Sequence, residues 1–246
     1  MTTTRLGVSL EGYEIGISGA VPERSNWSEP AMDRAILEFV ALMTGLVFKY
    51  GGRIIHGSQP SLTPIILRQA RLHAGSRKRR PVTLVVSHLW ARDWGTDELS
   101  SLNDIAELIV TPATGKKGPD DRETRNASLS IMRHALVNAQ NAMIAVGGKM
   151  HDRDGFVPGV REEMQLAKKR GIPRFLVGGL GGYSRQLATE LTPSGLSNFL
   201  PRKANIQLFG TNDVGACVGV IFEQLASSKR LKRRSAELAI VSENSR

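Results

Sequence analysis

The chain has 246 residues, of which 41% are hydrophobic, 23% charged and 5% aromatic, with 25 glycines and a formal charge of +10. That length suits one substantial core and one domain, and the composition is that of a globular α/β protein, which excludes a disordered chain. A single cysteine, Cys217, excludes an intramolecular disulfide framework, no Cys/His spacing suits zinc, and no apolar run reaches the ~18–20 residues of a membrane-spanning helix.

Tyr13 to Ser18 alternates as a strand and runs into Gly19-Ala20-Val21-Pro22, a turn at its carboxyl end. Ser28-Glu29-Pro30 supplies a cap and a first-turn proline for a helix that ends at Gly51-Gly52, with Ile36, Phe39, Val40, Met43, Val47 and Tyr50 on one face. Arg53 to Ile55 is a short buried strand. His56 to Ser61 carry little bulk to hold a ligand off the backbone, and the helix opened by Thr63-Pro64 aims its free amides and positive dipole end at that loop, which suits an anion. This second helix runs to Ala74, with Ile66, Ala70 and either His73 or Ala74 inward.

Val82 to Ser87 is a continuous β-branched run, as expected of a strand covered on both faces. Trp90 to Leu102 reads as irregular with one short helix, Glu107 to Thr111 as a strand, and Ala113 to Asp121 as a polar loop. A helix from Glu123 to Ala139 sets Leu129, Met132, Leu136 and Ala139 along one side. Ala142 to Val146 is a core strand ending in Gly147-Gly148-Lys149, and the loop to Pro158 leads into a helix from Gly159 to Arg170. Arg174 to Val177 is a strand ending in Gly178-Gly179, Asn205 to Phe209 reads as a last strand, and Val214 to Leu225 as a final helix. Repeated strand, glycine turn and helix predict a Rossmann-like open, mainly parallel sheet with helices on both faces. Two readings of the basic remainder stay open: disorder, or an arm that packs on a partner subunit.

In such a sheet, ligands settle outside the carboxyl ends of the strands. Four ends here carry small residues: Gly19, the run His56-Gly57-Ser58-Gln59, Gly147-Gly148 and Gly178-Gly179. Gly159 opens a helix at the same edge, and Glu162 or Glu163 in its first turn can accept hydrogen bonds from ribose hydroxyls, although both cannot point inward. Arg125 and Arg133 are the candidate phosphate clamps. His56, as a neutral imidazole, is placed to donate to phosphate or stack on a base. There is no nucleophile with a base, no complete Gly-x-Gly-x-x-Gly and no Walker loop, which disfavours an ordinary NAD dehydrogenase or an NTPase. The basic runs 77–80, 116–117 and 229–234 have no interleaved aromatics, so nucleic-acid binding rests on charge alone and ranks third.

The motifs Gly16-Ile17-Ser18-Gly19, Gly51-Gly52-Arg53-Ile54-Ile55-His56-Gly57, Ser128-Leu129 with Met132-Arg133, Ala145-Val146-Gly147-Gly148-Lys149, Pro158-Gly159-Val160-Arg161-Glu162-Glu163 and Val177-Gly178-Gly179-Leu180-Gly181-Gly182 span about residues 13 to 182. In order and placement they resemble the SLOG superfamily, the Rossmann-like group containing the Lonely guy phosphoribohydrolases, the nucleotide-sensing domains of Thoeris anti-phage effectors and the amino-terminal region of TRPM channels. The resemblance implies a SLOG-like domain over 1–226 with a basic tail over 227–246, and a pocket for a phosphorylated nucleoside or an NAD-derived signal such as an ADP-ribose. Phosphate is expected over Gly57 to Ser61 and Gly147-Gly148-Lys149, ribose near Glu163 or Glu162, and Arg133 or Arg125 on phosphate, with no cofactor besides the nucleotide. The hydrolase branch carries a Pro-Gly-Gly-x-Gly-Thr loop leading to its catalytic glutamate, whereas a polar insertion separates Gly147-Gly148 from Pro158-Gly159 here. The leading expectation is therefore a cytoplasmic, homo-oligomeric nucleotide sensor of a defence or signalling system, coupled to assembly or a protein partner. The alternative is an N-glycosidic hydrolase or transferase in which Glu163 stabilises an oxocarbenium-like ribose and Arg133 anchors phosphate.

Overall fold

Glu14–Ala20 (β1), Arg53–His56 (β2), Val82–Ser87 (β3), Ala106–Thr111 (β4), Ala142–Gly147 (β5) and Arg174–Val177 (β6) form one sheet in the order β4-β3-β2-β1-β5-β6, every pair parallel. The structure is a computed structural model and describes residues 8–23, 29–75, 79–115, 117–150 and 158–243. Ser28, Arg77, Lys78, Lys116, the loop 151–157 and residues 244–246, among them parts of the expected cap, basic runs and polar insertion, lie outside the described residues.

Strand register sets the two faces. Ile15, Ile17, Ile54, Leu84, Ile144 and Val146 point to one side, where they pack on Pro30–Lys49 (α1), Thr63–His73 (α2) and Val214–Ser227 (α9). Met143, Ala145, Leu176, Ile55 and Val85 point to the other, under Arg122–Asn138 (α5), Gly159–Lys169 (α6) and Gly182–Glu190 (α7). β2, β3, β5 and β6 are buried along their whole length, so their near-continuous apolar runs follow from having helices on both sides. β4 is an edge strand and is half exposed.

Local signals set several helix ends, the glycine end of α1 as expected. Gly51 adopts φ +96° after α1, and the Gly52 amide donates back to the Val47 carbonyl at 2.9 Å. Asp121 caps α5 by accepting from the Thr124 amide at 3.0 Å. The stretch after β3 folds as two short helices, His88–Ala91 (α3) and Thr96–Leu102 (α4), where one was expected. On α2, Ile66, Leu67 and Ala70 are buried and Ala74 follows them inward, whereas His73 is exposed.

Two expectations are overturned. Asn205 to Phe209 is no strand: it lies inside the helix Arg202–Gly210 (α8), with Asn205 and Leu208 buried one turn apart. Its short polar-apolar alternation fits either period, and the Asn205 side chain, bonded to Asn198 and to the Pro193 carbonyl, is satisfied in the helical setting. The stretch expected as a basic tail does not trail off over its described residues; Lys229–Glu243 forms a helix (α10) on its own domain. Leu231, Ser235 and Leu238 face inward at helical spacing, the Ser235 hydroxyl donates to the Asn141 carbonyl at 3.3 Å, and Arg234 donates to the Gly171 carbonyl at 3.2 Å. Lys229, Arg230, Lys232 and Arg233, which make the segment look like a tail, occupy the outer face of an amphipathic helix.

Candidate functional site

The strand order turns back between β1 and β5, and the connections diverge there to leave a crevice at the carboxyl edge. Backbones approach closely in this region. A Cβ at Gly19 would stand 1.9 Å from the Val146 carbonyl oxygen, and one at Gly147, φ +64°, would stand 2.4 Å from the Ala20 oxygen. The Gly148 amide donates to that same oxygen at 2.7 Å. A cavity of about 820 Å³ opens above these strand ends, bounded by α2 and α4 on one face of the sheet and by α5 and α6 on the other.

The loop after β2 is tied to itself. His56 is buried; its Nδ1 lies 3.0 Å from the Ile17 carbonyl oxygen, and its Nε2 accepts from the Gln59 amide at 3.3 Å. Only the neutral ring protonated at Nδ1 satisfies both, and burial lowers the pKa in the same direction. Both ring nitrogens are thus engaged, which corrects the expectation that His56 donates to phosphate: it staples the loop and offers the cavity its ring. The Gln59 side-chain oxygen accepts from the Ser61 amide at 2.7 Å, and Ser58 sits in the left-handed region at φ +54°.

The charged centre lies between α5 and α6. The Arg133 guanidinium is buried and pairs with Glu162 at 2.5 Å and, more loosely, with Glu163 at 4.0 Å. Ser130 donates to the other Glu162 oxygen. Gly159, the first residue of α6, leaves room for this guanidinium: a Cβ there would come within 3.0 Å of an Arg133 nitrogen. Glu163 turns into the cavity. Burial pushes its carboxyl up to about 7, a neighbouring Glu162 adds to the rise, and Arg133 and the Ser18 hydroxyl pull the other way. The result is a carboxyl near its midpoint at neutral pH, beside a fixed cation and the amino end of a helix.

Trp90 and Trp94 also line the cavity, together with Leu67, Leu84, Val86 and Leu102, and the Arg125 guanidinium lies 5.9 Å from the centre of the Trp90 ring. Neither tryptophan was among the candidates from sequence. Two indoles within seven residues of the carboxyl end of a buried strand were the signal that would have found them.

Of the residues singled out from sequence, Gly19, His56, Gly57, Ser58, Gln59 and Arg125 line this cavity, as do Arg133, Gly148, Lys149, Gly159 and Glu163. Lys149 is also paired with Glu23 at 2.5 Å. Four do not line it. Gly147 is consumed by backbone packing, and a Cβ on Gly182 would meet it at 2.6 Å. Glu162 holds Arg133 and Ser130. Gly178 and Gly179 donate to the Leu208 carbonyl at 3.0 and 3.2 Å, and a Cβ on Gly179 would stand 1.8 Å from the Thr211 oxygen, so this pair seats the α8–α9 turn. Among the described residues no group of three His, Cys, Asp or Glu side chains is placed to hold a metal ion, and no helix is long and apolar enough to cross a membrane.

An all-parallel, doubly covered sheet with a cavity at the turn of its strand order defines a Rossmann-like α/β protein. The SLOG cluster2 family model matches residues 9–208, and the chain belongs to that family. A search of solved structures matches TM1055, a structural-genomics target, at 14% identity over 78% of this chain and 88% of that one, with a TM-score of 0.48. No curated protein matches the chain.

Proposed function

We propose that the protein binds a phosphorylated nucleoside derivative in the cavity at the strand ends and acts as a sensor of it. The observation that carries this reading is one cavity combining a buried arginine at a helix amino end, a carboxylate within reach of a sugar and an aromatic wall. SLOG membership supports a nucleotide-related function. Within that class an NAD-derived signal such as an ADP-ribose is the ligand we favour. The phosphate rests on Arg133, Lys149 and the first amides of α6, and the ribose hydroxyls donate to Glu163. Binding needs no cofactor beyond the nucleotide. Output passes through self-assembly or a protein partner in a cytoplasmic defence or signalling system. Thermal denaturation against a panel of AMP, ADP-ribose, NAD and inorganic phosphate tests it: at least one nucleotide raises the midpoint saturably, and a flat panel at millimolar ligand overturns the reading.

One observation favours a second reading. A carboxyl held near pKa 7 beside a phosphate anchor is also what an N-glycosidic hydrolase acting on a nucleoside monophosphate requires. Chromatography of AMP, cytokinin-type nucleotides and NAD after incubation decides between the two, because free base appears only if bond cleavage occurs.

A further inference from the structure

The cavity has two chemically distinct ends. One lies under the amino end of α6, with Arg133, Lys149 and Gly159. The other lies beyond β3 and is walled by Trp90, Trp94, Leu84 and Leu102. β3 and β5 are three ladder steps apart across β2 and β1, which puts roughly 14 Å between the two ends before side chains reach inward.

Trp90 is held in place. The Ser87 hydroxyl at the end of β3 accepts from the Leu89 amide at 3.3 Å, Leu89 is buried, and Trp90 follows it directly. Its indole is half-buried where it meets the cavity, with the Arg125 guanidinium over it. A flat aromatic face backed by a cation is suited to a planar, electron-rich ring.

We propose that Trp90, backed by Arg125, is the base-recognition residue: the heteroaromatic ring of the ligand stacks there while its phosphate sits at the amino end of α6. This rests on the nucleotide reading above and adds which end of the cavity reads the base.

Ribose 5-phosphate and AMP separate the two claims, since they share a sugar phosphate and differ by the ring. Calorimetry on the wild-type protein should show AMP binding about tenfold more tightly, the expected size of one base stacked on an aromatic side chain. Trp90→Leu should bring the two ligands together, and Trp90→Phe should keep most of the AMP advantage. Equal wild-type affinities, or an AMP advantage that survives Trp90→Leu, would overturn the assignment while leaving phosphate binding intact. Failure of both ligands to bind the wild-type protein would overturn this assignment, and only a flat response to ADP-ribose and NAD as well would remove the nucleotide reading itself. A protein carrying Trp27→Phe and Trp94→Phe reports from Trp90 alone and decides the matter if Trp90→Leu does not fold. Its emission should change with AMP and not with ribose 5-phosphate, and no change at saturating AMP would refute the stacking.

Discussion

Replacing Glu163 by Gln should make the protein more stable and worse at its task. Glu163 is buried and its carboxyl is raised from 4.5 to about 7, with burial the largest cause. The folded state therefore holds the proton more tightly than the unfolded chain. Stability supplied by the protonated form is fully present below about pH 4.5 and is lost as pH rises through about 7, beyond which the loss is constant. The shift corresponds to about 3 kcal/mol, with the attraction of Arg133 already contained in it. Glutamine keeps the shape and cannot ionise. Urea denaturation of both proteins from pH 4.5 to 8.5 should give nearly equal stabilities at the acid end and a variant more stable by up to about 3 kcal/mol above pH 7.5. AMP or ADP-ribose affinity should fall about tenfold, because a charged acceptor for the ribose hydroxyls becomes a neutral one. A stability difference that does not change with pH, or one that favours the wild type as pH rises, would refute the placement of Glu163 in a desolvated site.

Gly159→Ala fits the backbone of α6 but sets a methyl group 3.0 Å from Arg133. It should change urea stability by less than about 1 kcal/mol while weakening phosphate-bearing ligands at least tenfold by calorimetry. Gly179→Ala should do the reverse. Its Cβ would stand 1.8 Å from the Thr211 oxygen, so a loss of roughly 3 kcal/mol or failure to fold is expected, with normal ligand affinity in any protein that does fold. Deleting 229–246 uncovers the contacts of Leu231 and Leu238 and removes the Ser235 bond to Asn141. Thermal denaturation should show a destabilisation of about 3 kcal/mol or more; an unchanged midpoint would mean that α10 does not pack on the domain.

How much was legible in the sequence depended on whether the signal was local. The glycine ends of α1 and β5, the β-branched run of β3 and the Thr63-Pro64 start of α2 specify their own backbone, and those elements fall where the pattern puts them. Asn205 to Phe209 is too short for periodicity to choose between strand and helix, and tertiary contacts through Asn205 decide it. α10 hid behind its charges, because Leu231, Ser235 and Leu238, its buried residues among those described, are set among lysines and arginines. At the site, sequence brought forward every glycine near a strand end but could not say which face space and which face another backbone. Gly148 meets the cavity; Gly147, Gly178 and Gly179 are spent on close packing. His56 closes β2 instead of opening the loop, and of the two tasks expected of it only donation to phosphate is lost, since the Ile17 carbonyl and Gln59 amide that occupy its ring nitrogens come from partners a sequence does not display.

The measurement that bears most directly on this account is a crystal structure of the protein with ADP-ribose. Density for the ligand should run along the strand ends, with a phosphate within hydrogen-bonding distance of Arg133 and of the first amides of α6, a ribose hydroxyl on Glu163 and the adenine against Trp90. Ligand bound elsewhere on the surface, or a cavity still empty in crystals grown at saturating ADP-ribose, AMP and NAD, would contradict it.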